Sequence, residues 1–140
     1  MTKKKSILAR DYMTSAVVTL GPGMHLLEAV QVLLDRHISG APVLDSTGNL
    51  VGILSEKDCL RAALSAAYHG DLGGLVADCM QRDVATVADD APIFDVARKF
   101  IDGHFRRYPV VHGHRLVGQI SRRDVLRALR DLSHSEGHEV

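Results

Sequence analysis

Neither sign of charge is in excess: Lys+Arg and Asp+Glu both number 17, and the pI lies near 7.1. This balance removes any bulk attraction to nucleic acid or to an anionic membrane, so an anionic ligand has to be held by a local cluster. Long apolar runs are missing too. The best candidate, Met24 to Leu34, is interrupted by His25, Glu28 and Gln31 and cannot span a bilayer. Lys3, Lys4 and Lys5 look like the start of a signal peptide, but Arg10 and Asp11 break what would be its apolar core. Cysteine is scarce. Cys59 and Cys79 have neither metal-ligand spacing nor the density of a disulfide scaffold, which points to a reducing cytoplasm. No P-loop, nucleophile–base pair or carboxylate dyad is present, so no catalytic residue is assigned. His112-Gly113-His114 in a turn, and His134 and His138 in a polar tail, do not add up to a metal site.

What the chain does have is a repeat. Leu50-Val51-Gly52-Ile53-Leu54-Ser55-Glu56-Lys57-Asp58 returns as Leu116-Val117-Gly118-Gln119-Ile120-Ser121-Arg122-Arg123-Asp124. At an offset of 67, Asp11/Asp78, Met13/Met80, Thr19/Thr86, His37/His104 and Pro42/Pro109 are also identical; beyond the hairpin turn the offset is 66. With 140 residues, two halves sharing a core are the natural reading. Residues 7–69 form the first repeat, 70–74 a glycine-rich linker and 75–132 the second repeat, with flexible tails at 1–6 and 133–140.

Each half predicts the order β-α-β-β-α after a short helical lead-in (Ile7 to Met13, Leu75 to Met80). Val17 to Leu20 and Val84 to Val87 read as first strands. The apolar spacing from Met24 to His37 predicts an amphipathic helix, matched by Pro92 to Gly103. Pro42 to Leu44 with Leu50 to Leu54, and Tyr108 to Val111 with Leu116 to Ile120, read as hairpins. Pro42 is expected at the first position of its strand, where a missing ladder donor is tolerated. Helices from Ser55 to Tyr68 and from Ser121 to Leu132 close the halves. The fold class is therefore α/β (α+β), two units packed sheet to sheet about a pseudo-two-fold axis, with a cleft lined twice by equivalent residues.

The Ser-x-x-Asp corner has two compatible readings. The serine and the aspartate of the first helical turn can form a capping box. Alternatively, Gly52 and Gly118 let a ligand approach the backbone, the helix N-terminus favours an anion, and Asp58 or Asp124 accepts from the two vicinal hydroxyls of a ribose. One carboxylate oxygen can cap while the other binds. His37 and His104 end matching helices, where an imidazolium suits the dipole.

Gly-Ile-Leu-Ser-Glu-Lys-Asp and Gly-Gln-Ile-Ser-Arg-Arg-Asp resemble the signature of cystathionine-β-synthase (CBS) domains. The segments running into Pro42-Val43 and Pro109-Val110 resemble the approach to that family's second strand. The likeness covers nearly all of residues 9 to 130 and implies a tandem pair, or Bateman module. It implies a ligand such as AMP, ADP, ATP, S-adenosylmethionine or a dinucleotide in the inter-repeat cleft. Carried over, Asp58 and Asp124 hold ribose hydroxyls, Ser55 and Ser121 lie near the phosphate, and Thr19 and Thr86 face sugar and phosphate. Ala41 and Tyr108, before Pro42 and Pro109, border the base. Arg106 and Arg107, where the first half has Ser39 and Gly40, stand where the family often places phosphate contacts, and Arg122 and Arg123 replace Glu56 and Lys57. The second site is thus expected to favour a phosphorylated ligand. The implied function is a non-catalytic regulatory module that self-associates through its helices and acts on a separate effector protein. A ligand-independent interaction adaptor is the alternative, and a nucleotide-directed enzyme a third, weaker reading.

Overall fold

The computed structural model describes residues 7–69 and 73–137. Its elements are α1 (Ala9–Tyr12), α2 (Leu26–Asp35), β1 (Gly40–Leu44), β2 (Leu50–Ser55), α3 (Glu56–His69), α4 (Val76–Cys79), β3 (Val87–Ala88), α5 (Ile93–Asp102), β4 (Arg107–His112), β5 (Arg115–Ser121) and α6 (Arg122–Gly137). Two small sheets result: the antiparallel pair β1-β2, and β3-β4-β5 with β3 parallel to β4.

Two compact units form, one from Val18–Val84 and the other from Met1–Val17 with Ala85–Val140. Each unit has its own core. Leu26, Leu33, Val43, Leu54 and Val76 centre the first, and Ala9, Ile93, Val96, Val110 and Ile120 the second. The units do not coincide with the sequence repeats, because each takes its lead-in from the other half. In one unit, α4 enters beside α2: Leu26 N–H donates to Gly74 O (3.0 Å) and Val76 N–H to Met24 O (2.9 Å). In the other, α1 enters beside α5: Ala9 N–H donates to Ala91 O (2.9 Å) and Ile93 N–H to Ile7 O (2.9 Å). Asp11 and Asp78 cap these short helices, accepting from Leu8 N–H (2.9 Å) and Leu75 N–H (3.0 Å).

The matched glycines follow from this arrangement. A Cβ on Gly52 would lie 2.6 Å from Met80 Sδ and 2.8 Å from Gln81 O; on Gly118 it would lie 2.6 Å from Met13 Sδ and 2.8 Å from Thr14 O. After its methionine each lead-in adds one rung to the sheet edge. Gln81 pairs with Ile53 through bonds of 2.8 and 2.9 Å, and Thr14 with Gln119 through bonds of 2.8 and 2.9 Å. The close approach at Gly52 and Gly118 is thus made by the protein's own chain.

The expected first strands are cut short. Only Leu20 pairs in the first half, donating to Pro42 O (2.9 Å) and accepting from Leu44 N–H (2.9 Å), and in the second only Val87–Ala88. The next rung of a parallel ladder would need an N–H from Pro42 or Pro109, which proline lacks. Pro42 is interior to β1, not its first residue as expected, and Pro109 is interior to β4. Two further expectations change. Gly74, placed in the linker, is pinned by Leu26 at φ +125°, while residues 70–72 lie outside the described residues. Ser133 to Gly137, expected in a tail, extend α6, because Leu129 and Leu132 pack on the core and Tyr12 Oη donates to Asp131. His134 therefore lies on a helix; residues 1–6 and 138–140 lie outside the described residues.

Candidate functional site

Each hairpin delivers its second strand directly into a helix, so the chain turns at Ser55 and at Ser121. The first helical N–H is satisfied by the preceding loop: Glu56 N–H donates to Ser39 O (2.9 Å), and Arg122 N–H to Arg106 O (3.1 Å). The serine and aspartate then bond reciprocally. Asp58 Oδ2 accepts from Ser55 N–H (2.8 Å) while Ser55 Oγ accepts from Asp58 N–H (3.2 Å). Asp124 and Ser121 repeat this at 2.8 and 3.2 Å. Both corners are true capping boxes that leave Oδ1 facing away from the cap.

The environments of the two Oδ1 atoms differ. At Asp58, Oδ1 accepts from Arg61 (2.9 Å) and from Gln81 Nε2 (2.9 Å), while Ser55 Oγ–H adds a bond to Oδ2 (2.9 Å). The side chain is 2% exposed. At Asp124, Oδ1 accepts from Arg127 (2.8 Å) and the side chain is 14% exposed. Thr14 occupies the place of Gln81. Burial pushes both carboxyls up, but donors outweigh it and hold both below the ordinary carboxylate range: Gln81, Ser55 and Arg61 for Asp58, Arg127 and Ser121 for Asp124. Both aspartates are ionised acceptors at neutral pH. A surface depression beside the second corner is lined by Ser121, Arg123, Asp124, Leu126, Arg127 and Arg130.

Basic groups gather on one corner only. Arg107 is the strand partner of Ser121, where Gly40 partners Ser55. Arg106, Arg107 and Arg123 are exposed and make no ion pair among the described residues. Arg122 is already engaged, its Nε donating to Phe105 O (3.2 Å), which ties the loop before β4 to the start of α6.

The remaining expected site residues are placed as follows. Thr19 is exposed and Thr86 half-buried, each just before the sheet rung at Leu20 or Val87. The carbonyl of Thr86 accepts from Lys99 Nζ. Ala41 and Pro42 are buried, as are Tyr108 and Pro109. Tyr108 packs its ring 4.8 Å from that of Phe100 and 5.5 Å from that of Phe105 and donates its hydroxyl to Lys99 O (3.1 Å). Ala41 and Tyr108 thus belong to the cores of their units. The matched histidines also part company. His37 ends α2 through its backbone, at φ +54°, with His37 N–H on Leu34 O (3.3 Å) and Ile38 N–H on Leu33 O (3.1 Å), while α5 ends at Gly103. Gln81 was not singled out in the sequence; its identity with neither Thr14 nor any motif hid it. Among the described residues no group of three or more His, Cys, Asp or Glu side chains could hold a metal, and no helix is long and apolar enough to cross a membrane.

The geometry can be set beside known proteins. The CBS domain pattern matches twice, at residues 9–65 and 76–131. The chain is 32% identical over 120 residues to the uncharacterized protein MJ1225 of Methanocaldococcus jannaschii, a match covering 86% of this chain and 42% of that protein. It therefore spans less than half the length of that relative. Among solved structures, CBSX2 in complex with AMP is 27% identical with a TM-score of 0.76, covering 90% of this chain and 98% of that one; the same protein is described from Arabidopsis thaliana. The CBS domain pair of protein MJ0100, in complex with 5′-methylthioadenosine and S-adenosyl-L-methionine, is 26% identical with a TM-score of 0.68, covering 91% and 98%. Two pattern matches over most of its length, two small sheets with flanking helices and a repeated strand–serine–aspartate corner show that this chain belongs to the CBS domain family, as a tandem pair.

Proposed function

We propose that the chain is a regulatory module that binds an adenosyl ligand, an adenine nucleotide or S-adenosylmethionine, and signals through a shift between conformations rather than through catalysis. The observation that carries this reading is the Ser121–Asp124 corner: an ionised aspartate with spare acceptor capacity, beside exposed Arg106, Arg107 and Arg123. Aspartate suits a vicinal diol and the arginines suit phosphate. The AMP and S-adenosyl-L-methionine complexes of the related CBS pairs support the ligand class. AMP, ADP and ATP fit the basic corner better than the cationic sulfonium of S-adenosylmethionine. Thr86 stands next to the parallel rung of the same unit and is a candidate for the sugar–phosphate side. Two free thiols, Cys59 and Cys79, suit a reducing cytoplasm.

Self-association is part of the proposal. Leu27 and Leu34 on α2 are exposed, and Phe94 and Ile101 at the equivalent positions of α5 are exposed as well. A doubled apolar stripe of this kind supports a homodimer formed through the helices.

A thermal-shift screen of AMP, ADP, ATP and S-adenosylmethionine tests the reading. A ligand at a hundred times its Kd is expected to add about 2.7 kcal/mol, or roughly 5–10 °C in Tm, and Asp124→Asn should abolish the shift while the protein stays folded. No shift with any of the four would leave an interaction adaptor as the better description.

A further inference from the structure

Among the described residues, Gln81 is the donor from outside the corner's own strand and helix that Asp58 has and Asp124 lacks. It comes from the lead-in of the second sequence half, yet the Gln81–Ile53 backbone rung fixes it at the edge of β2, and its amide reaches Asp58 Oδ1 at 2.9 Å. A carboxylate has about four lone-pair sites. At Asp58 all are in use: Ser55 N–H and Ser55 Oγ–H on Oδ2, Arg61 and Gln81 on Oδ1. A ribose diol brings two further donors and finds no acceptor until one of these is displaced. At Asp124 the equivalent rung, Thr14–Gln119, carries a threonine, and Oδ1 accepts from Arg127 alone among the described residues.

We infer that Gln81 is an internal latch that occupies the diol-binding atom of Asp58 and makes the first corner a silent or weak site, leaving the Ser121–Asp124 corner as the working one. This rests on the adenosyl-ligand reading above and adds a determinant to it. The latch acts through Asp58 and touches no ligand itself, so Gln81 is a positioning residue. Its placement by a backbone rung makes the exchange with Thr14 a clean one. The backbone bonds that hold residues 14 and 81 do not depend on either side chain.

Calorimetric titration of the full chain with AMP tests the latch, using wild type, Gln81→Thr and Thr14→Gln. Wild type should bind one AMP per chain. Gln81→Thr should open a second site, with a gain at Asp58 of about tenfold or more, the scale of a hydrogen bond to a charged group. Thr14→Gln should weaken the Asp124 site by a similar factor. A circular-dichroism melt of each variant separates loss of binding from loss of fold. Two equal sites in wild type, or one unchanged site in Gln81→Thr, would overturn the latch while leaving the ligand class standing. Absence of AMP binding in all three folded chains would overturn the nucleotide assignment on which the latch rests.

Discussion

The Ser55–Asp58 and Ser121–Asp124 corners are built from the same backbone and closed by different side chains. Strand, glycine, serine, first helical turn and the rung supplied by a lead-in are common to both. Their capping bonds agree in length, at 2.8 and 3.2 Å in each corner. Around this frame the first corner has Gln81, Gly40 and Glu56, and the second has Thr14, Arg107 and Arg122. Duplication has thus preserved what backbone geometry requires and let the side chains around it diverge. The core beside β4 has diverged in the same way. Ala41, Val32 and Leu33 of one unit stand where Tyr108, Lys99 and Phe100 make an aromatic and cationic cluster in the other, with Lys99 Nζ 5.3 Å from the Tyr108 ring centroid.

The largest expected effect tests the shared frame. Gly52→Ala and Gly118→Ala each drive a methyl group into a methionine sulfur and a backbone carbonyl, so each should destabilise its unit by about 3 kcal/mol. Chemical denaturation should find both costs alike; a tolerated alanine at either position would break the equivalence. Next come the aspartates. Asp58→Asn turns an acceptor toward Arg61 and Gln81 into an amide and should cost about 2 kcal/mol, whereas Asp124→Asn, more exposed and with fewer donors, should cost about 1 kcal/mol. Equal losses would mean that the extra bonds at Asp58 carry no weight.

Acid should expose the same pair. Both carboxyls are held below their ordinary range, so their contribution is complete above the unfolded carboxylate pKa of about 3.9 and disappears as pH falls through the lower folded value. Stability measured from pH 6 down to pH 2 should therefore decline, and less steeply in Asp58→Asn. A pH profile indifferent to that substitution would remove Asp58 from the account. The smallest effect concerns a backbone conformation that the matched His104 does not share. His37 is a non-glycine residue at φ +54° in a helix-ending turn, and His37→Gly should stabilise by roughly 0.5 kcal/mol or be neutral.

The duplication and the corners were legible in the sequence because they are local: Ser and Asp lie three residues apart, and their reciprocal bonds need only one helical turn. The hairpins were legible because strand and turn residues alternate over short distances. The exchange of lead-ins was not, since Met13, Met80, Asp11 and Asp78 show only that the two segments are equivalent and not which sheet each joins. The length of the first strands could have been inferred: a proline interior to a strand removes the donor for the next parallel rung. Gln81 stayed hidden because it meets Asp58 across 23 residues of sequence through that exchange. The place of Tyr108 in the core was not legible either, because its packing against Phe100 and Phe105 depends on how β4 meets α5.

The central claim is that the two corners are unequal, and a crystal structure of the full chain grown with excess AMP tests it most directly. The account predicts nucleotide at Ser121–Asp124, its ribose on Asp124 and its phosphate toward the Arg106–Arg107 loop, with Gln81 still bonded to Asp58. Equal occupancy of both corners, or nucleotide at Asp58 alone, would contradict it.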